Sequence, residues 1–457
     1  MKNAIKFIQI IALVISIFRF FIVPKTPDVQ FMTVDLIIMM VLVLTFLKGS
    51  EISNRIIIKH STIFIIGFVI VYYQFPLDYV LGNHNAIHYL DQPYLSEFCK
   101  GVVIANMSLS AFLLGHESYR GSIAPNTNAC VNLNSKIIDY TVFVCLILFV
   151  IFVNKQFLFR GYGIYEKGAL ADELGKIVQM GLIASLVINS IMHKSNGVYG
   201  IKDFYKKFRI PIIVLLVYSG LIAMSGARYV VLRMLSLLFI SYIYTVRPKI
   251  RIITLVLGLS FIAFLTTLQG LTRSGDEISF SEARNSMSQS ESISPMTSEL
   301  AFSVTTLHVA TENVPAKVDY NYGVTFLSGL LFVIPGARTF VLNMLDIPIE
   351  LSHSTMFITK LGYGSLDEGG MGSSSLADIY ISFGVIGCVV IFLLFGYLIR
   401  YLEENTYKSN GGSTFILGIS FCFYSQMMYL NRESLTTCLV GLPYVLLFIY
   451  VALRRSR

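Results

Sequence analysis

The chain has no tryptophan, and only 14% of its 457 residues are charged, against 55% that are hydrophobic. A single soluble core would carry roughly a quarter of charged residues, so this composition excludes one. The chain reads instead as a polytopic membrane protein. Cysteine is scarce as well. Cys145, Cys388, Cys422 and Cys438 fall inside apolar runs, while Cys99 and Cys130 fall on opposite sides of the membrane in the topology below, so no disulfide and no cysteine-based metal site is expected. There is no internal repeat, and no small-residue cleavage pattern follows the apolar run behind Lys2 and Lys6, which is expected to remain as a first span. The net charge of +8 lies in short basic clusters between apolar runs rather than along one polar face, which argues against nucleic acid as a partner.

Apolar runs of spanning length occur near 5–23, 29–47, 56–74, 98–115, 137–153, 174–192, 210–226, 229–246, 252–268, 376–399, 413–430 and 434–453, which makes twelve candidate helices. The stretch 210–246 is almost wholly apolar and about twice the roughly 20 residues that one crossing needs, so it must fold as a hairpin with "SGAR" as its turn. Basic clusters alternate in step with the spans, at Lys2 and Lys6, at Lys48, Arg55 and Lys59, and so on to Arg454, Arg455 and Arg457. By the positive-inside rule they face the cytoplasm, and both termini are then expected to be cytoplasmic.

Three parts follow: a nine-helix transmembrane region over 1–268, an external loop over 269–375, and three C-terminal transmembrane helices over 376–457. Within the loop, "VTFLSGLLFVI" (324–334) would rise only about 16 Å as a helix, half the hydrocarbon thickness, and predicts a re-entrant or interfacial helix. The Ser-rich stretch 281–295 predicts a mobile loop. After it, Ser294 and Pro295 predict an N-cap and first turn, with Leu300, Val304 and Leu307 on one face of an amphipathic helix on the outer surface.

The topology puts Arg228 of "SGAR" at the outer boundary, in a turn too short to let its guanidinium wander. Arg273 in "QGLTRSG", Arg338 in "IPGARTF" and Arg432 in "NRES" lie at the same depth. Each alone could be a snorkelling side chain that fixes its helix. Four together, on a side whose main loop is net acidic, run against the usual charge bias and point to a ligand with diphosphate chemistry at headgroup level, which guanidinium forks match. Arg233, five residues deeper and some 140° round the helix, is expected to pair within the bundle.

The hairpin ending "SGAR", the "IPGAR" segment in a long outer loop, the run "GGMGSSSLADIYISFGVIG" (369–387) and the "NRES" turn resemble the Wzy-type polymerases of bacterial surface polysaccharides. The resemblance covers about 210–453. It implies an all-α, GT-C-like membrane fold of about twelve transmembrane helices with one large external loop. It also implies a glycosyltransferase that joins undecaprenyl-diphosphate-linked repeat units on the outer face, taking a lipid-linked glycan as donor and another as acceptor. A chain-length regulator and a flippase would be its partners, and no cofactor or metal is required. Accordingly, the chain has no Asp-x-Asp pair that would hold a divalent ion beside a sugar nucleotide. The family usually has glutamate where this chain has Asp378.

An acceptor hydroxyl needs a proton acceptor, and Asp378, His353 and Glu368 are the outer candidates; Asp378 could equally complement the dipole of its own helix. Tyr320, Tyr322, Tyr363 and Tyr380 could stack on sugar faces, although interfacial tyrosines are ordinary in a membrane protein. His84, His88 and Asp91 have a loose metal spacing but no third strong ligand. An O-antigen ligase would share the fold and the arginines. A twelve-helix carrier or flippase would be expected to show midplane charges and related halves, whereas this chain has few midplane charges, no visible repeat and one large outer loop.

Overall fold

Inside a bilayer every backbone N–H and C=O must find its partner within the segment, which leaves helices for runs this apolar. The computed structural model describes residues 2–49, 59–84, 92–121, 135–160, 166–194, 200–246, 292–331, 334, 337–366, 370–407 and 413–454, and every regular element among them is helical. The principal helices are α1 (Lys2–Phe21), α2 (Val29–Gly49), α3 (His60–Val80), α4 (Phe98–Ser118), α5 (Lys136–Phe152), α6 (Ala169–Lys194), α7 (Arg209–Met224) and α8 (Arg228–Val246). They continue with α9 (Thr305–Asn313), α10 (Val324–Leu331), α11 (Ala337–Met344), α12 (Ser354–Tyr363), α13 (Ser375–Tyr407), α14 (Thr414–Gln426) and α15 (Leu442–Arg454).

Eight described segments are long and apolar enough to cross a membrane, or nine if the short helix Ile201–Lys207 and α7, bent by 89°, count as one. The expected span at 252–268 lies outside the described residues. α5 and α14 occupy their expected places, with 17 and 13 residues. The hairpin over 210–246 forms as α7 and α8. Its turn places Gly226 at φ +89, which a glycine adopts without the Cβ clash that other residues meet.

Two apolar cores divide the bundle. One joins α2, α3, α4, α9 and α13, through side chains such as Phe64, Phe68, Phe112 and Phe392; the other joins α5 to α8 with α14 and α15, through Phe149, Leu186, Tyr218 and Phe421. α4 is buried along most of its length, whereas α1, α2 and α5 turn Phe7, Phe18, Met40, Tyr140 and Phe152 outward as a lipid-facing surface. α13 lies against α4 with two glycines at the contact. A Cβ on Gly115 would stand 1.9 Å from the Leu393 carbonyl oxygen, and one on Gly396 would stand 2.0 Å from that of Phe112. The backbones touch there, as small residues allow in membrane bundles. Further up α13, the helix breaks at Gly384 (φ 65, ψ −162), another conformation reserved for glycine.

The segment from residue 292 to 366, expected to be external, packs into this frame rather than resting on it. α10 has eight residues, too few to cross, with Thr325 and Ser328 buried, in keeping with a re-entrant helix. Ser294 stands at the N-cap position of the 3-10 turn Pro295–Thr297, without a side-chain capping hydrogen bond, and Pro295 takes its first position as expected. The amphipathic helix expected on the outer surface is instead buried. Val304 and Leu307 sit in the first core, and Thr305, Thr306, His308 and Thr311 are equally enclosed, so the helix has no wet face. Hydroxyl hydrogen bonds to the preceding turn satisfy its threonines, as between Thr306 and Ser303. Asp78, at the top of α3, accepts hydrogen bonds from the Ser292 hydroxyl (2.8 Å) and the Ile293 amide (2.7 Å), and Gln74 accepts one from Thr297. The loop is thereby clamped to the bundle.

Placing a side chain at the α4–α13 contact forces two backbones apart, an overpacking cost of about 1–3 kcal/mol or more. Gly396→Leu is therefore expected to lower the melting temperature in detergent by several degrees and broaden the size-exclusion peak. Gly220→Ala on α7, where a Cβ would have nothing within 4 Å, is expected to behave as wild type in the same measurements.

Candidate active site

At the end of the bundle that carries residues 292–375, a cavity of about 840 Å³ opens beside the second core, with Met180, Ala227 and Val230 in its wall. Its walls come from segments far apart in sequence: the outer end of α6, the α7–α8 turn and the first turns of α8, the tip of the external segment, and the connection between α14 and α15. Arg233, Arg338, Arg432 and His353 all line it, with Glu299, Glu433 and the glycines at 370 and 372. At its rim, Asp172 and Glu173 pair with Lys176 at 3.0 and 2.7 Å, and Asp172 also meets Lys167 at 3.4 Å.

Arg233 projects from the second turn of α8 and is 6% exposed. Its guanidinium donates only long hydrogen bonds to neutral groups, 3.5 Å to Gln179 Oε1 and 3.3 Å to the Tyr229 hydroxyl, and its buried Nε has no partner. Arg432 sits in the α14–α15 connection, where one N–H reaches Glu299 at 3.4 Å and the guanidinium lies 5.6 Å from the Tyr429 ring centroid. Both distances are loose for a charged pair. Arg338, on the first turn of α11, is half-buried, and that burial works against its charge and lowers its pKa from the usual arginine range. Guanidinium groups match the oxygens of an anion such as phosphate or carboxylate.

His353 caps α12 by accepting the Thr355 amide at Nδ1 (3.3 Å). With Nδ1 so engaged, the neutral ring carries its proton on Nε2 and can donate from there. Burial and the nearby Arg338 charge both hold its pKa below the ordinary histidine value, so the ring is neutral at physiological pH. Glu433, next to Arg432, hydrogen-bonds with Thr437. Burial pushes its pKa up to about 7, against the opposing pull of Arg233 and Arg432.

Other expected site residues fall elsewhere. Asp378 is fully buried and off the cavity wall. Its Oδ1 accepts the Thr325 hydroxyl at 2.9 Å, with the Ser434 hydroxyl beside it, so it ties α10 to the start of α13. Tyr320 and Tyr380 meet edge to face, with centroids 6.4 Å apart, while Tyr322 and Tyr363 are exposed; none of the four lines the cavity. Arg273, Glu368, His88 and Asp91 lie outside the described residues, as does the side chain of Arg228, whose backbone opens α8. Arg233 and Glu433 are additions. The signal for Arg233 was its position in an apolar helix, where a charge faces protein or water. For Glu433 it was a carboxylate next to an arginine in a short connection between spans.

A family model for the O-antigen polysaccharide polymerase Wzy matches residues 177–455, more than half of the chain. The chain belongs to this family. The matched region contains all the cavity residues of α8, the external segment and the α14–α15 connection. Neither a curated protein nor a solved structure matches the chain.

A buried charge whose hydrogen bonds are long and run to neutral groups, with the Glu433 carboxylate acting on it only through space, adds little to the bundle. Arg233→Met is accordingly expected to leave the melting temperature unchanged or to raise it, since replacing a poorly paired buried charge with an apolar side chain is often neutral or stabilising. Loss of more than about 3 kcal/mol, the scale of a broken buried pair, would show instead that the arginine holds the fold together.

Proposed function

We propose that this polymerase works without a metal on substrates activated by a lipid diphosphate, and that the cavity is where the growing glycan passes onto a new lipid-linked repeat unit. One observation carries the reading: Arg233, Arg338, Arg432 and the neutral His353, spread over 200 residues of sequence, share one hollow at the end of the bundle. Its volume of about 840 Å³ is in the range of ligand sites. Guanidiniums in such a water-poor site hold the diphosphate of an undecaprenyl-linked donor, with Arg228 and Arg273 as further contacts at the same level. As the acceptor hydroxyl attacks the anomeric carbon, the bond from that carbon to the diphosphate oxygen breaks and the electron pair leaves with the diphosphate. The arginines and the His353 Nε2–H meet the charge that develops there, each preorganised donor contributing roughly 3–4 kcal/mol.

The further details belong to the same reading. About twelve transmembrane helices, nine over 1–268 and three over 376–457, enclose an external loop over 269–375 in a GT-C-like arrangement. The basic clusters support a reading with both termini in the cytoplasm and the cavity on the outer face of the bacterial inner membrane. A flippase would deliver its lipid-linked units, and a chain-length regulator would set the product.

The test uses purified protein in proteoliposomes, supplied with lipid-linked repeat units and assayed for polymer by gel electrophoresis. Arg338→Ala and Arg432→Ala are each expected to insert and fold normally while polymer formation drops about 10²–10³-fold. Lysine at either position should restore little, because a point charge does not reproduce a bidentate fork. Excess EDTA should leave the wild-type rate unchanged. Wild-type polymer from the alanine variants, or loss of activity on chelation, would contradict the diphosphate grip or the metal independence respectively.

A further inference from the structure

Transfer to a hydroxyl releases a proton, and the residue that takes it must stand beside the carbon one bond away from the gripped diphosphate. The sequence candidates do not meet this need. Asp378 is fully buried and absent from the cavity lining, and His353 has its Nδ1 engaged in the α12 cap. Four described carboxylates line the cavity: Asp172, Glu173, Glu299 and Glu433. The first two are paired to Lys167 and Lys176 at the rim, and Glu299 faces Arg432. None of the ion pairs among the described residues engages Glu433. It lines the same hollow as Arg233, Arg338 and Arg432 and follows Arg432 directly in the chain.

Resting on the polymerase reading, we infer that Glu433 is the general base that deprotonates the acceptor hydroxyl. The proton passes to a Glu433 carboxylate oxygen as the hydroxyl oxygen bonds to the anomeric carbon. The carbon–oxygen bond to the diphosphate breaks, and the diphosphate departs with that electron pair; no oxidant, metal or further reactant is needed. The Thr437 hydrogen bond, from the residue that opens the short helix Thr437–Val440, orients the carboxylate. The charged and titratable groups around it are Arg233 from α8, Arg432 in the same connection and the Cys438 thiol. Burial raises Glu433 to about 7, near the basicity at which a carboxylate is effective at neutral pH. Since only the ionised form accepts a proton, the rate should rise with pH through this region.

The experiment compares wild type, Glu433→Gln and Glu433→Asp in the proteoliposome assay, alongside binding of undecaprenyl diphosphate. Glu433→Gln keeps the size and hydrogen-bonding capacity of the side chain. It is expected to lose about 10²–10⁴ in the rate of chain extension, to bind undecaprenyl diphosphate within twofold of wild type, and to lack the rising limb near pH 7 in its residual activity. Glu433→Asp, which keeps the carboxylate, should retain the limb at an intermediate rate. The assignment is overturned if Glu433→Gln extends chains within about threefold of wild type. It is also overturned if the variant's defect lies in diphosphate binding while the pH limb persists, the behaviour of a mere counter-charge to the arginines. A wild-type preparation that binds undecaprenyl diphosphate yet makes no polymer would bring down the underlying reading as well, and is told apart by the wild-type arm alone.

Discussion

A charge withdrawn from water into a membrane bundle costs several kcal/mol unless the protein surrounds it with partners. Where charge serves only the fold, this chain does so thoroughly. Arg19 grips both oxygens of Asp35 at 3.0 and 2.8 Å, caps the Phe31 carbonyl and lies 3.8 Å over the Phe31 ring, while Asn106 donates to the same carboxylate. At the opposite end of the bundle from the cavity, Glu403 accepts from the Ser61 amide and hydroxyl and faces His116 at 3.0 Å. The cavity charges are treated differently. Arg233 has long neutral contacts and an unpartnered Nε, and Arg432 has one carboxylate at 3.4 Å. The contrast between closed and open charges sets the site apart from the scaffold.

The architecture was legible wherever length alone decided it. The run over 210–246 could be nothing but a hairpin, and α10 was too short to cross. Arg338, Arg432 and His353, expected on one side of the membrane, line one hollow. What the sequence could not reveal was lateral position. Arg233 was judged by its angle to Arg228 on one helix, but the cavity wall is built by α6, the external segment and the last connection folding in around α8. An acidic residue in the first turn of a helix reads the same whether it faces a ligand or a neighbouring threonine, and Asp378 faces Thr325. The buried external helix was misjudged because its threonines look polar, yet they bond to their own preceding turn and need no water.

The position of Asp378 also clarifies what the glycine and serine run before α13 contributes. Ser374 accepts from Thr306 at 3.0 Å, and Ser375 meets the Tyr72 hydroxyl at 3.2 Å. Hydroxyls from α3, α9 and α10 thus converge on the opening turn of α13. That knot fixes the height at which residues 370–373 border the cavity, so a motif that looks like a ligand loop acts largely as a bracket.

The clamp at the head of α3 reaches further than its few hydrogen bonds suggest. Asp78 and Gln74 lie in the N-terminal part of the chain, outside the segment shared with the family, yet they fasten residues 292–297 just ahead of Glu299 and Leu300. Glu299 and Leu300 border the hollow, so one of its edges hangs from a helix in the N-terminal part of the chain. A change at Asp78 or Gln74 can therefore shift that edge without touching Arg338 or Arg432.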